Sequence, residues 1–317
     1  MKNEQSVLFG IDDSDFARHA LLETGRLLKD SKDLHMTLFH GALEPDVSLL
    51  PDAISQDPDV AETYLEKWNL KAQEVAAQAK NVLMESGFSP ERTSTFFDNK
   101  CSAPADAMLT LAGQKGIETV AVARWGKSTV SRKVIGSVTY RLSQLANDRV
   151  LWVIEPRVTS RNVLIGLVGA EISQRVVDYS VRYFSHLRES TFTLFHVIPP
   201  IPPQYWVSDS ATRREAEEKH EKMVSWLKEY TDRVREIADD AREKLVQAGV
   251  PEENIVFKCG PQKEGIARDM ALELQEGKHG ILVIGRKGYK NIEEFGLGSK
   301  ANKLLLAGRA FLICLVN

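Results

Sequence analysis

The segment Thr37-Leu38-Phe39-His40 recurs as Thr193-Leu194-Phe195-His196, and Val7-Leu8-Phe9-Gly10 recurs as Val163-Leu164-Ile165-Gly166. Both are displaced by 156 residues, and equal displacement of two separate apolar runs marks an internal duplication. Lys100-Cys101 further matches Lys258-Cys259 at a displacement of 158, and Gly126 with Gly136-Ser137 matches Gly288 with Gly298-Ser299 at 162. The drift assigns a few extra residues to loops or helices of the second half. At 317 residues the chain accommodates two domains of about 150 residues, each large enough for its own core. The duplication makes that allowance specific, with one domain over 1–156 and a second over 160–317.

Each half reads as the same order of elements. An apolar strand over 7–11 precedes an amphipathic helix over 15–29, in which Ala17, Leu21, Leu22, Leu27 and Leu28 share a face. A strand over 34–40 leads through a loop with Pro45, Pro51 and Pro58 into a helix over 60–86, which Gly87 and Pro90 end. Strands near 93–97, 119–123 and 150–154 alternate with helices near 104–114 and 137–146. The second half gives strands at 162–167, 191–197, 254–258, 281–284 and 311–316. Helices are expected at 171–187, 262–275 and 299–307, with one long amphipathic helix or two stacked ones over 213–248. Short, nearly continuous apolar strands alternating with helical patterns define an open α/β sheet covered on both faces. The expected fold is therefore two tandem open, mostly parallel five-stranded sheets flanked by helices.

Composition and charge narrow the function classes. With 43% hydrophobic and 27% charged residues the chain is expected to fold throughout. Its 41 basic and 44 acidic residues are too balanced for a dedicated nucleic-acid surface. No apolar run is long enough to span a membrane, and Asp12 and Asp13 interrupt the region where a signal peptide would continue, so a cytoplasmic location is expected. Cys101, Cys259 and Cys314 are odd in number and widely spaced, against a disulfide framework or a zinc-thiolate site.

Ligands of open parallel sheets sit at the carboxyl ends of the strands, where helix N-termini present unpaired N–H groups. The loop after the strand at 281–284 reads Gly285-Arg286-Lys287-Gly288, then nine residues to Gly298-Ser299, where a helix is expected to start. Glycines allow close backbone approach, N–H groups cradle phosphate oxygens, and Ser299 adds a donor. Arg286, Lys287 and Lys290 supply positive charge, so an anion is the natural occupant. No G-x-x-x-x-G-K-[ST] sequence occurs, which disfavours a P-loop nucleotidase.

This spacing, G-x2-G-x9-G-[ST], after the fourth strand of a repeat resembles that of the universal stress protein family, and the resemblance covers nearly the whole chain as two copies. It implies a five-stranded parallel fold in each repeat, a role in stress tolerance and, in many members, binding of ATP or a related adenine nucleotide. Gly285, Gly288, Gly298 and Ser299 match the pattern in full. The first half departs from it: Ala123 stands at the first glycine, followed by Arg124-Trp125, then Gly126 and Gly136-Ser137. Alanine costs little volume but opposes positive φ by roughly 1 kcal/mol or more, and Trp125 is expected to occlude or wall the pocket. The aspartate that the family places at the end of the first strand, facing the nucleoside, is matched by Asp12, whereas the second half has Val168. The competing reading of Asp12 is a turn acceptor or cap for the following helix, a role that Asp13 or Ser14 could equally take.

The expected ligand contacts are therefore Gly285, Lys287, Gly288, Gly298 and Ser299 in one half and Asp12, Gly126, Gly136 and Ser137 in the other. The leading expectation is an ATP- or AMP-binding sensor or interaction module, with Mg2+ accompanying ATP. The alternatives are a structural or interaction protein holding an anionic or apolar ligand, and a weak Mg-dependent ATPase. No nucleophile–base–acid set accompanies the loop, so no catalytic residue is assigned. His40 and His196 are read as packed or locally hydrogen-bonded side chains, not metal ligands. The resemblance implies pairing through the final strand of each repeat, so Val150–Ile154 and 311–316 are expected to pair within one chain as an intramolecular pseudo-dimer; a homodimer through the 213–248 helix is the alternative.

Overall fold

The computed structural model describes residues 5–42, 58–98, 101–126, 135–208, 211–286, 301, 303–305 and 310–317. These form two compact units, one running to Thr159 and including Ala310–Asn317, the other beginning at Ser160.

In the first unit the strands β1 (Gln5–Gly10), β2 (Leu34–Gly41), β3 (Thr93–Asp98), β4 (Thr119–Ala123) and β5 (Val150–Ile154) are arranged β3-β2-β1-β4-β5. All four pairings are parallel. Helices α1 (Asp15–Leu28), α2 (Pro58–Glu85), α3 (Pro104–Lys115) and α4 (Ser137–Leu145) connect them. The chain moves outward from β1 to β2 and β3, then returns to place β4 on the other side of β1, so a switch point opens between β1 and β4. Val7, Leu8 and Phe9 of the central strand are fully buried, as expected where both sheet faces are covered.

The second unit repeats the pattern with β6 (Val163–Gly166), α5 (Ala170–Phe184), β7 (Phe192–Ile198), α6 (Arg213–Gln247), β8 (Ile255–Pro261), α7 (Ile266–Glu276) and β9 (Ile281–Gly285). Its strands run β9-β6-β7-β8, all parallel. The last strand, β10 (Leu312–Val316), is antiparallel to β5, with Leu312 opposite Ile154 and Leu315 opposite Leu151. Chain order assigns β10 to the second repeat, yet it groups with the first unit, where it pairs with β5. The helix expected over 299–307 lies largely outside the described residues, as does the proline loop before Pro58.

Equivalent packing confirms the duplication. A Cβ on Gly10 would lie 2.7 Å from Met108 of α3, and one on Gly166 would lie 2.9 Å from Met270 of α7. In both units a methionine closes against the backbone at the end of the central strand, where a Cβ would have to push its tip aside. Strand register corrects one match, however. Cys259 pairs with His196 as Phe97 pairs with His40, so Cys259 is the counterpart of Phe97, and Lys100-Cys101 resembles Lys258-Cys259 without occupying the same place.

The long charged stretch is a single helix of 35 residues, started by a capping box between Thr212 and Glu215. Its apolar positions bury Val234, Ala238, Ala241 and Leu245, while the charged positions face outward and carry i,i+4 pairs such as Arg213–Glu217.

Candidate functional site

The first unit contains a cleft of about 370 Å³ at the carboxyl ends of its central strands. The sheet contributes Ile11 and Asp12 after β1, His40 and Gly41 at the end of β2, and Val122 and Ala123 at the end of β4. The loop after β4 adds Trp125 and Gly126, and the start of α4 adds Gly136, Ser137 and Val138. Helix α2 supplies Trp68, Lys71, Ala72 and Val75, whose i, i+3, i+4, i+7 spacing puts them on one face; α3 supplies Pro104 and Met108. A volume of this size is within the range of small-molecule pockets.

Four of the sequence-derived candidates, Asp12, Gly126, Gly136 and Ser137, thus come together around one cleft. Asp12 Oδ1 accepts from the Ser14 backbone N–H at 3.1 Å and from the Ser14 hydroxyl. Ser14 in turn caps α1, its Oγ accepting from the Ala17 N–H at 3.1 Å. The turn role and the cleft position therefore coexist in Asp12. Its other oxygen explains the glycine across the cleft: a Cβ on Gly126 would lie 2.6 Å from Asp12 Oδ2. Close approach, not a left-handed backbone, requires glycine here.

Ala123 corrects an expectation. It is the last residue of β4, paired with Ile154, and the only non-glycine residue with positive φ among the described residues is Lys278. The alanine therefore carries no backbone cost. Its carbonyl accepts from the Thr139 hydroxyl at 3.0 Å, while Arg124 O accepts from Gly136 N at 2.9 Å, and these bonds hold the start of α4 at the cleft. Arg124 is buried and paired with Glu155 at 2.9 Å, so its charge is committed to the scaffold. Trp125 walls the cleft, tilted against Phe16 with ring centroids 5.7 Å apart. The α4 N-terminus, capped by Gly136 without a side-chain bond, directs its N–H groups and the positive end of the helix dipole to this place.

In the second unit, Gly285 ends β9 and Arg286 follows it, buried, with burial lowering its pKa to about 10. Lys287, Gly288, Lys290, Gly298 and Ser299 lie outside the described residues. His196 is buried, its Nδ1–H donating to the Leu167 carbonyl at 3.0 Å; that tautomer leaves Nε2 to accept from the Tyr230 hydroxyl at 2.9 Å. Burial holds its pKa below the ordinary histidine value. His40 makes the matching Nδ1–H bond to the Ile11 carbonyl at 2.9 Å and lines the cleft of the first unit. Both histidines therefore tie the second strand of a repeat to the end of the first. Among the described residues no group of three His, Cys, Asp or Glu side chains is placed to hold a metal ion, and no helix is long and apolar enough to cross a membrane. Cys101 and Cys314 are buried, and burial raises both thiol pKa values, which keeps them protonated.

Trp68 and Lys71 were not singled out by the sequence. The available signal was the apolar face of α2, which passes through Trp68, Ala72 and Val75 and carries one lysine among them.

Fold and site define a duplicated open α/β protein with a switch-point cleft in its first copy. The sequence matches the universal stress protein family over residues 4–153 and again over 159–308. The chain belongs to that family, with two tandem domains. A universal stress protein from Archaeoglobus fulgidus shares the fold with a TM-score of 0.63 at 12% identity, the match covering 99% of both chains. A protein of unknown function from Pseudomonas aeruginosa PAO1 gives a TM-score of 0.60 at 12% identity, over 99% of this chain and 92% of that one. No curated protein matches the chain.

Proposed function

We propose that the chain is a binding module for an adenine nucleotide, ATP or AMP, or a closely similar phosphate-containing ligand, and that it acts in the stress response as a sensor or interaction module. The observation that carries this reading is the meeting of Asp12, Gly126, Gly136 and Ser137 around one cleft that also has two tryptophan walls and a lysine. Phosphate oxygens take the α4 N-terminus and the Ser137 hydroxyl, with Lys71 as countercharge. Asp12 is set to accept from ribose hydroxyls, and the apolar walls enclose the base. In the second repeat Gly285, Lys287, Gly288, Gly298 and Ser299 keep the phosphate-contact role that their motif gives them, without an aspartate at Val168.

Among the described residues the cleft offers donors and two carboxylates, Asp13 and Asp12, the latter already accepting from Ser14, and binding is the reading we favour over turnover. Mg2+ enters this reading as the companion of ATP. Occupancy would change the surface offered to a partner. The β5–β10 pairing supports a pseudo-dimer made by the last strands of the two repeats within one chain.

Titration calorimetry with ATP, ADP and AMP, with and without Mg2+, tests the reading. Saturable binding of at least one nucleotide is expected, with no product formed over hours. No heat at protein concentrations well above the expected Kd would refute it, and steady ADP release would favour the ATPase.

A further inference from the structure

His40 and His196 hold the same place in the two repeats. Phe39 pairs with Gly10 and Phe195 with Gly166, and each following histidine donates from Nδ1 to the carbonyl just past the first strand, that of Ile11 or Leu167. With the proton on Nδ1, Nε2 of both rings is an acceptor. In the second repeat Tyr230 of α6 uses it, its hydroxyl donating to His196 Nε2 at 2.9 Å.

The first repeat leaves the acceptor unused. Helices α2 and α6 align at a displacement of 162 through buried Ala72 and Val234, Ala76 and Ala238, and Leu83 and Leu245, and both are followed by a glycine with positive φ, Gly87 and Gly249. That register puts Trp68 where Tyr230 stands, and Trp68 makes no bond to His40. His40 Nε2 has no partner among the described residues and, unlike the indole nitrogens of Trp68 and Trp125, is not closed off from solvent. His196 Nε2 faces α6; the same direction from His40 leads toward α2, whose Trp68, Lys71, Ala72 and Val75 form a wall of the cleft that His40 also lines.

We propose that His40 Nε2 accepts a hydrogen bond from the exocyclic amino group of the bound base, so that the ligand supplies the donor that Tyr230 supplies in the second repeat. Resting on the nucleotide reading above, the inference assigns base selection to a side chain outside the glycine loop. Strand order carries the assignment. The α4 N-terminus and Ser137 follow β4, Asp12 follows β1 and His40 ends β2, and these strands are consecutive neighbours in the sheet. A nucleotide with its phosphate at α4 and its ribose at Asp12 therefore brings its base to His40, two strand spacings, or about 10 Å, from β4. An unprotonated ring nitrogen takes a donor and rejects another acceptor, and on the adenine ring of a nucleotide the 6-amino group is the N–H donor.

The test uses the full chain, with AMP, purine riboside 5′-monophosphate, which lacks only the 6-amino group, and ribose 5-phosphate as probes. The unsubstituted chain is expected to bind AMP about five- to tenfold more tightly than the purine analogue. The 15N signal of His40 Nε2 should shift on adding AMP and stay in place on adding the analogue. W68Y is expected to offer His40 the hydroxyl that Tyr230 offers His196, which should bring the two nucleotides within twofold of each other and leave ribose 5-phosphate unchanged. If W68Y does not fold, the two nucleotides and the Nε2 signal in the unsubstituted chain decide. Equal affinity for AMP and the analogue, an Nε2 signal unmoved by AMP, or a preference for AMP that survives in W68Y would overturn the inference alone. No AMP or ATP binding by the unsubstituted chain would overturn the nucleotide reading and this inference with it.

Discussion

At the scale of single residues, the site turns on what Gly126 leaves room for. Its Cα hydrogen faces the Asp12 carboxylate, and Gly126→Ala would force a methyl to within 2.6 Å of Asp12 Oδ2. Overpacking of this kind costs about 1–3 kcal/mol, to be read as a lower denaturation midpoint, and it should weaken nucleotide binding by displacing the aspartate. Ser14→Ala removes the α1 cap and one donor to Asp12 together; a loss of about 1 kcal/mol is expected in the same measurement. These residues were legible in the sequence because glycine, aspartate and serine carry their roles in their chemistry and spacing. Ala123 was misread for a physical reason: the spacing marks a close approach, and nothing in it reports φ. Trp68 escaped notice because a tryptophan on an amphipathic helix looks the same whether it faces a core or a cleft.

At the scale of elements, the sheet order, the long helix and the strand-end histidines follow from apolar runs and their periodicity. What the sequence did not disclose was register. Lys100-Cys101 looked like Lys258-Cys259, and only pairing with β2 and β7 separates them. In the second unit, Tyr230 ties α6 to β7 through His196, so Tyr230→Phe leaves a buried ring nitrogen without its donor and should cost about 1–2 kcal/mol. The same unit carries His279, buried with Nε2 3.2 Å from Glu273 Oε1. Burial is the main cause of the lowered pKa of both His196 and His279, against which the Leu167 carbonyl and Glu273 act respectively. Between the folded and unfolded values the unfolded chain binds more protons, so stability rises with pH. The unit should therefore hold its full stability above about pH 6.5 and lose it as the pH falls below. Denaturant melts at pH 7.5 and 5.5 check this, and His196→Gln should flatten the difference between them.

At the scale of the whole molecule, duplication fixes the architecture, and the final strand shows how the copies depart from independence. The order of elements was legible from the 156-residue displacement, whereas the pairing of β10 with β5, between residues more than 150 apart, was legible only through the family resemblance, because periodicity alone does not select it. A chain ending at Thr159 lacks β10 and leaves the β5 edge, with Leu151, Trp152 and Val153, open to pairing. Such a chain should self-associate in size-exclusion chromatography, whereas the full chain keeps that edge covered. The asymmetry of the two copies bears equally on function. The aspartate, the altered loop and the open cleft are in the first, and the complete glycine motif is in the second. Calorimetric titration of AMP into the full chain and into its Gly126→Val and Gly288→Val variants tests the claim that the first cleft is a nucleotide site. The account predicts saturable binding that Gly126→Val weakens at least tenfold and that persists in Gly288→Val. Absence of binding in the unsubstituted chain, or binding untouched by Gly126→Val and abolished by Gly288→Val, would contradict it.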